Sequence, residues 1–305
     1  MKQSIQIWLD AARPKTLPLA LVSILTGSVL AYSIGQFSFT IALLAFITAT
    51  LLQILSNLAN DYGDAVKGTD NDARLGPIRA IQSGAVSLKT MRQAMVINIV
   101  LTMLSGLFLV FYALNSLQSI MTFIGLGVLA MVAAIAYTVG NKPYGYVGLG
   151  DISVFIFFGL LGVAGTFFLH TGFVEATLIL PAIGCGLFAV AVLNVNNMRD
   201  IENDKACGKK TVAVRLGQAK SKQYHLILLV SALTTFVCYL LLQPAPLWLS
   251  LPFVLSLVVV YKHGRAVWLA TQPAQIAPMM PIVVKCALFS NVLFTGIVIA
   301  QTLVS

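Results

Sequence analysis

Apolar stretches long enough to cross a lipid bilayer recur along the whole chain, and they restrict its fold more than any other feature. A transmembrane helix needs about 20 predominantly apolar residues. The sequence contains nine such stretches, at residues 17–34, 39–58, 93–113, 117–138, 150–170, 174–197, 224–243, 246–262 and 282–303. With 58% hydrophobic and 10% charged residues, the 305-residue chain is too apolar for an ordinary soluble protein. We therefore predict an all-α, polytopic membrane protein with nine transmembrane helices in a bundle around a central cavity, forming a single membrane-embedded domain.

The basic residues all fall on one side of this predicted topology. When the N-terminus is placed in the cytoplasm, all 19 Lys and Arg lie in the N-terminal segment, in the cytoplasmic loops or at the cytoplasmic start of the last span. This distribution follows the positive-inside rule and predicts a multi-pass membrane protein with a cytoplasmic N-terminus. The net charge of +9 then reflects topology, together with attraction to anionic lipid and anionic substrate, rather than nucleic-acid binding.

Two acidic clusters follow apolar stretches, at residues 57–64 and 196–204. Each contains Asn-x-x-x-Asp with a further Asp about one helical turn later, so that each helix face presents a ladder of oxygen ligands. Ionisable groups near membrane depth are costly and mark functional sites, and carboxylates suit Mg²⁺ that is shared with substrate phosphates. The predicted Mg²⁺ ligands are Asn57, Asp61 and Asp64 in the first cluster and Asn196, Asp200 and Asp204 in the second.

The position of the clusters also predicts an internal repeat and a site at one membrane face. Each cluster leads into a long basic loop, at residues 59–92 and 198–223, and four spans separate the two loops. Spans one to four and five to eight are therefore predicted to form two similar halves, with span nine added. A transporter would more often place polar residues near the bilayer midplane, whereas these spans are nearly free of charge.

Two further segments carry candidate functional residues. The segment from Tyr137 to Asp151 is rich in glycine and tyrosine, and Lys142 is its only cation. A tight turn between helices explains the glycines but not an aspartate that enters an apolar span. Arg13 and Lys15 precede the first span, where an interfacial anchor and a substrate contact are equally consistent with the sequence. The three histidines have no carboxylate or cysteine at ligand spacing, which favours an interfacial location over metal binding.

With these segments in hand, the chain resembles the UbiA superfamily of intramembrane aromatic prenyltransferases over nearly its whole length. The first motif of that family, Asn-Asp-x-x-Asp-x-x-x-Asp, is matched at Asn60, Asp61 and Asp64, whereas Gly68 stands at its last position and Asp70 follows two residues later. The second motif, Asp-x-x-x-Asp, is matched in full by the second cluster. The strings NLANDYGDAVKG and YTVGNKPYGYVGLGD resemble one branch of the family most closely.

The resemblance implies an enzyme that transfers a polyprenyl group from polyprenyl diphosphate to 1,4-dihydroxy-2-naphthoate. Carbon dioxide and diphosphate leave, and the product is demethylmenaquinone. Mg²⁺ is the expected cofactor, and the resemblance implies a multi-pass enzyme of the bacterial inner membrane that receives its head groups from the cytoplasm. The alternatives are a sister enzyme with another aromatic acceptor, such as 4-hydroxybenzoate, and an ion or phosphate transporter.

The expected roles divide between the two substrates. Lys142, Lys210 and Arg79 are expected to contact the diphosphate, because fixed cations stabilise the charge of a leaving group.

Asp151 and Tyr137 are expected to orient or deprotonate the naphthoate hydroxyl, with Lys142 beside them in the catalytic set. Arg13 and Lys15, with Asp151, are the candidates for binding the acceptor. A carboxylate repels an anionic aromatic acid unless it is protonated or bridged, so the sequence leaves the choice between these arrangements open.

Overall fold

The computed structural model describes residues 2–14 and 16–304. Lys15, which was expected to contact the acceptor, lies outside the described residues. Within them the protein is helical and contains no strand. The helices are α1 (Lys2–Ala12), α2 (Leu17–Ser33), α3 (Phe39–Lys67), α4 (Leu88–Ala113), α5 (Leu117–Ala136), α6 (Gly150–Val154), α7 (Thr166–Thr171), α8 (Ile179–Arg199), α9 (Ile201–Ala206), α10 (Val212–Leu242), α11 (Val254–Leu269), α12 (Pro273–Ile276) and α13 (Met279–Val304).

The predicted all-α membrane architecture is confirmed. Among the described residues, eight helical segments are long and apolar enough to cross a bilayer, and α1 with α2 adds a ninth candidate that is bent by 55°. The fifth span, residues 150–171, runs continuously through α6, a π-helical segment at Phe155–Gly165 and α7. An α-helix satisfies its backbone hydrogen bonds within itself, which is why a chain of this composition forms helices in lipid.

Helix α3 extends beyond its apolar stretch and carries the whole first cluster. The sequence places the end of this span at residue 58, whereas the helix continues to Lys67. It ends at Gly68, which adopts a left-handed conformation with φ 70° that favours glycine. The apolar pattern marks only the lipid-embedded part of a helix, so it underestimates a helix that continues into water.

The second cluster does not lie on one continuous helix, contrary to the expected ladder. Helix α8 ends at Arg199, and Asp200 departs from helical geometry with φ −105° and ψ 16° before α9 begins. The N–H of Asp204 still donates to the carbonyl of Asp200 at 2.8 Å, which holds the two segments together. Asp200 therefore lies at a bend between α8 and α9.

The core of the bundle centres on α8, which packs against α10, the π-helical segment and α13. The rings of Phe236 and Phe294 lie 4.6 Å apart in this core, and Phe188 stacks on Phe236 from the other side. By contrast, α5 packs mainly against α3 and α4. An apolar cavity of about 320 Å³ lies between these three helices, α2 and the fifth span.

Two of the three histidines are buried rather than interfacial, contrary to the expectation from sequence. His225 of α10 and His263 of α11 are 0% and 2% exposed. Their Nε2 atoms lie 3.0 Å apart in a hydrogen bond between the helices. The two residues are 38 positions apart, so no local pattern reveals the pair.

Candidate active site

Asp61 lies at the centre of the first cluster, where two arginines converge on it. Its Oδ1 accepts a hydrogen bond from Arg13 and lies 3.2 Å from Nη1 of Arg79. The Nε atoms of both arginines are buried and have no hydrogen-bond partner in the protein. Burial lowers the pKa of Arg79 to about 9, and the neighbouring Arg13 charge adds to this effect. The two guanidinium groups therefore retain unused donors around a single carboxylate.

Asn57, one turn before Asp61 on α3, joins this helix to the end of α1. Its Nδ2 donates to the carbonyl of Ala12 at 2.9 Å, and its Oδ1 accepts from Nε2 of Gln53 at 3.3 Å. Asn57 thereby ties the end of α1, and with it Arg13, to the helix that carries Asp61. The structure brings Asn57 into the site but engages its amide in this joint.

Asp64 lies one turn beyond Asp61 and is bound by a tyrosine from the loop between α5 and α6. Oη of Tyr146 donates to Oδ1 of Asp64 at 2.7 Å. The helix can approach this loop closely because residue 63 is a glycine. A Cβ at Gly63 would lie 2.6 Å from the carbonyl oxygen of Thr138, closer than nonbonded atoms approach.

Asp70 supplies a buried carboxylate close to the position where the first motif has Gly68 in place of an aspartate. After Gly68 ends α3, the N–H groups of Thr69 and Asp70 turn back to the carbonyl of Asp64 at 2.9 and 3.4 Å. The Asp70 side chain is 1% exposed, and neither of its oxygens has a hydrogen-bond partner. Burial raises its pKa, and the nearby Arg79 opposes this rise. A third carboxylate thus returns to the site after the turn.

Asp200 of the second cluster is paired with two arginines. Arg199 donates from Nε to Oδ1 at 3.0 Å and from Nη2 to Oδ2 at 2.5 Å. Nη2 of Arg199 also donates to Oδ1 of Asn196 at 3.0 Å. Nε of Arg74, from the loop after α3, lies 3.8 Å from Oδ2 of Asp200. The described structure therefore brings the two clusters together through cations between them.

Asp204 is paired with a lysine that the sequence analysis did not select. Nζ of Lys209 lies 3.6 Å from Oδ1 of Asp204 and 5.2 Å from the centre of the Tyr146 ring. Burial raises the pKa of Asp204 to about 6, and the Lys209 charge opposes this rise. Lys210, which was expected to contact diphosphate, is exposed, although its N–H donates to the carbonyl of Tyr146 at 2.8 Å.

The remaining predicted residues lie in the segment from Tyr137 to Asp151, and Tyr137 marks the end of the apolar cavity that we call its entrance. Tyr137 lines the cavity, and burial and the neighbouring Asp151 raise its pKa. Asp151 is buried and accepts a hydrogen bond from Oη of Tyr224 at 3.0 Å. Lys142 is exposed and has no hydrogen bond or ion pair with the described residues. The structure thus brings Tyr137 and Asp151 together but leaves Lys142 on the surface.

The apolar cavity extends from this entrance toward the opposite membrane face. Asn60, the neighbour of Asp61, and Tyr137 lie at one end of its lining. Leu109, Phe123 and Leu169 lie at the other end of the lining. Leu109 and Leu169 belong to a separate apolar cluster, and Phe123 packs against it. The cavity therefore lies within the membrane helices and reaches Asn60, which adjoins Asp61 of the charged site in the chain.

The donor set fits a magnesium ion that is shared with a diphosphate, rather than a closed protein cage. Among the described residues no three His, Cys, Asp or Glu lie close enough to hold a metal by themselves. Mg²⁺ usually binds one or two carboxylates and completes its shell with water and phosphate oxygens. The Asp70 oxygens, which accept no hydrogen bond, and the carboxylates of both clusters are oxygen ligands of the kind this ion prefers.

The sequence of the chain matches the UbiA prenyltransferase family over residues 20–291. This range contains both acidic clusters and most of the cavity lining. The chain belongs to that family. Membership identifies it as a membrane prenyltransferase and agrees with the helical architecture and with the apolar cavity beside a charged site.

Relatives with the same overall length are similar to the chain. A 1,4-dihydroxy-2-naphthoate octaprenyltransferase from Escherichia coli (strain K12) is 49% identical over 297 residues, which cover 97% of this chain and 96% of the relative. The protein of the same name from Haemophilus influenzae (strain ATCC 51907 / DSM 11121 / KW20 / Rd) is 48% identical over 300 residues, with the same coverage.

Solved structures share the fold at much lower sequence identity. A UbiA homolog from Archaeoglobus fulgidus bound to DMAPP and Mg²⁺ is 14% identical and has a TM-score of 0.66, covering 98% of this chain and all of that one. The apo structure of a UbiA homolog from Aeropyrum pernix K1 is 17% identical with a TM-score of 0.67, covering 94% of this chain and 98% of that one.

Sequence reasoning missed several residues that complete the site of this family member. They are cations and hydrogen-bond donors that face the predicted carboxylates, namely Arg74, Arg199, Lys209, Tyr146 and Tyr224. Two of them had a local signal. Arg199 directly precedes Asp200, and Arg74 follows Asp70 by four residues. Lys209 follows Asp204 by five residues, whereas Tyr146 and Tyr224 come from distant segments that no spacing in the sequence marks.

Proposed function

We propose that this protein transfers a polyprenyl group from polyprenyl diphosphate to 1,4-dihydroxy-2-naphthoate. Diphosphate and carbon dioxide leave, and the ring keeps both hydroxyl groups, so the immediate product is demethylmenaquinol, the reduced form of demethylmenaquinone. The names of two relatives at 48% and 49% identity support the choice of acceptor. The observation that carries the proposal is an arginine-rich carboxylate site that adjoins, through Asn60 beside Asp61, an apolar cavity inside the membrane helices.

The diphosphate binds where the two acidic clusters meet. Asp61, Asp64, Asp200 and Asp204 would hold Mg²⁺, with Asp70 close by, and Asn57 and Asn196 would assist once their amides exchange their present hydrogen bonds. When bound, the ion neutralises the charge that develops on the leaving diphosphate. A Mg²⁺-bound relative of the same fold supports a divalent ion in this protein.

The arginines contribute the remaining positive charge. The Nε atoms of Arg13 and Arg79 have no hydrogen-bond partner in the protein, and guanidinium groups bind phosphate oxygens in a bidentate manner. Their donors stabilise the departing diphosphate at the cluster, where burial strengthens electrostatic interactions. Lys142 and Lys210 are exposed and would act at the rim, where they attract the incoming anion.

The apolar cavity binds the first part of the prenyl chain. Departure of diphosphate leaves an allylic carbocation that water would quench, and a water-excluding apolar space protects it until the ring attacks. The cavity lining is mainly aliphatic and aromatic, so it holds the apolar chain and excludes water. A longer chain extends from the cavity into the surrounding lipid.

The acceptor ring binds at the entrance, between the charged site and the cavity. Tyr137 and Asp151 orient its hydroxyl, and Arg13, with Lys15, pairs with its carboxylate. The buried Asp151 accepts from Tyr224, which fixes its carboxylate beside Tyr137. The one-sided distribution of Lys and Arg supports a site on the cytoplasmic side of the bacterial inner membrane.

Product mass spectrometry tests this function directly. The purified protein is incubated with a polyprenyl diphosphate, Mg²⁺ and either 1,4-dihydroxy-2-naphthoate or 4-hydroxybenzoate, with and without a chelator. We expect prenylated, decarboxylated naphthoate only when free Mg²⁺ is present. Preferential prenylation of 4-hydroxybenzoate would contradict the proposed acceptor.

Matched variants link the reaction to the two clusters. D61N and D200N remove one carboxylate charge from each cluster, and D72N removes an exposed charge from the same loop as Asp70. We expect turnover to fall steeply in the first two variants and to persist in D72N. Near-normal turnover of both D61N and D200N would refute their assignment as metal ligands.

A further inference from the structure

Tyr146 is connected to the first acidic cluster through a directional pair of hydrogen bonds. Its Oη lies 2.7 Å from Oδ1 of Asp64 and 2.6 Å from Oγ1 of Thr69. An ionised carboxylate only accepts hydrogen bonds, so the single phenolic proton points to Asp64. The Thr69 hydroxyl then donates to Tyr146. Asp64 and Thr69 are buried, at 8% and 2% exposure, so water does not replace these bonds easily.

The same tyrosine is also fixed to the second half of the protein. Its carbonyl accepts from the N–H of Lys210 at 2.8 Å, and Nζ of Lys209 lies 5.2 Å from its ring centre. Asn203 of α9 donates from Nδ2 to the carbonyl of Thr69 at 2.9 Å. Tyr146 therefore lies where the turn after α3, the loop after α5 and the segment after α9 meet.

We propose that Tyr146 is a positioning residue that orients Asp64 for the metal and sets its distance from Asp204. This inference rests on the proposed metal-dependent function. A hydrogen bond to one carboxylate oxygen fixes the rotation of the group and directs the other oxygen toward an ion. Lys209 contacts both Asp204 and the Tyr146 ring. Tyr146 therefore links Asp64 of the first cluster, through Lys209, to Asp204 of the second.

The experiment measures metal binding without any turnover. Mn²⁺ binding to the full chain in detergent is followed by electron paramagnetic resonance for the unaltered protein and for Tyr146→Phe, which keeps the ring under Lys209. Loss of such an outer contact weakens metal binding by about 10- to 100-fold in other proteins. We expect an increase in the Kd for Mn²⁺ within that range, with an unchanged melting temperature without metal.

Tyr144→Phe is the matched control from the same loop. The Tyr144 hydroxyl donates to the carbonyl of Ala133 and contacts Ser153 at 2.9 Å, away from both acidic clusters. We expect this variant to keep the Kd for Mn²⁺ of the unaltered protein. Thr69→Val removes the hydroxyl that supports Tyr146, and it should raise the Kd in the same direction by a smaller factor.

The outcomes separate positioning from a general structural role. An unchanged Kd in Tyr146→Phe overturns the inference, as does an equal increase in Tyr144→Phe. If the unaltered protein binds no Mn²⁺, the inference falls together with the metal part of the proposed function. Failure to prenylate the naphthoate while Mn²⁺ binds normally would refute only the acceptor assignment and leave the role of Tyr146 intact.

Discussion

Arg74 contacts Asp200 across the two halves of the sequence, with its Nε 3.8 Å from Oδ2 of that carboxylate. The same Nε lies 3.4 Å from Oδ1 of Asp70. One buried guanidinium therefore lies between a carboxylate that follows the first cluster and a carboxylate of the second. The charge of Arg74 reduces the repulsion between acidic groups that the site must hold close together.

Replacing this arginine should destabilise the site and weaken binding of the diphosphate. R74Q leaves the buried carboxylates of Asp70 and Asp200 with less compensation, and breaking a buried ion pair typically costs about 3–5 kcal/mol. The Arg74 side chain is 6% exposed, so solvent replaces little of the lost interaction. We expect a lower melting temperature without metal and a higher KM for prenyl diphosphate. R92Q removes an exposed arginine from α4 and should change neither quantity.

The sequence analysis selected Lys210 as a diphosphate contact, whereas the structure places the adjacent Lys209 beside Asp204. Lys209 is buried against Asp204, whereas Lys210 is exposed. We expect K209Q to raise the KM for prenyl diphosphate more than K210Q does, because a fixed cation near the metal ligands interacts more strongly than a solvated one. Steady-state kinetics with both variants measure the difference. A larger effect of K210Q would restore Lys210 as the main diphosphate contact.

The raised pKa of Asp204 predicts the direction of a pH effect on stability. Burial raises this pKa from 3.8 to about 6, so the fold favours the protonated carboxyl. The resulting stabilisation is complete below the unfolded-state pKa and is lost as pH rises toward 6. In chelator, D204N should therefore melt at a higher temperature than the unaltered protein above pH 6. The gap should shrink as pH falls toward 4, and thermal unfolding across this range measures it.

The cavity predicts a chain-length effect for a single glycine. Gly127 of α5 lines the cavity, and a Cβ at this position would meet no atom within 4 Å. G127L should fit the helix and occupy cavity space, so the KM should rise more for a long prenyl diphosphate than for a short one. G125L is the matched control, because Gly125 has equal room but faces outward on the same helix. Equal chain-length dependence in both variants would contradict the placement of the prenyl chain.

Much of the site composition was readable from spacing, but its contacts were not. Helical periodicity correctly grouped Asn57, Asp61 and Asp64 on one face of α3, because residues three and four apart are neighbours on any helix. The second cluster failed this reasoning in part, since the chain bends at Asp200. Its bend depends on how α9 and the following loop pack, which involves distant residues.

Gly68 also shows what the sequence predicts and what only the tertiary structure reveals. The sequence shows a glycine in place of an expected carboxylate and an aspartate two residues later, and it cannot say where that aspartate lies. The left-handed turn at Gly68 brings Asp70 back beside Arg74 and Arg79. The internal repeat of spans one to four and five to eight stays a prediction.

The sequence by itself determined the membrane-embedded helical bundle, the types of residue at the site and the family of the protein. These follow from properties that act locally, namely apolar length, helical period and motif spacing. Only the tertiary structure decided which cation faces which carboxylate, why Lys209 rather than Lys210 turns inward, and how Tyr146 reaches Asp64. Some of these pairings join residues that are far apart in the chain, as Tyr146 and Asp64 are, and in the local ones the packing of helices and loops fixes which side chain turns inward.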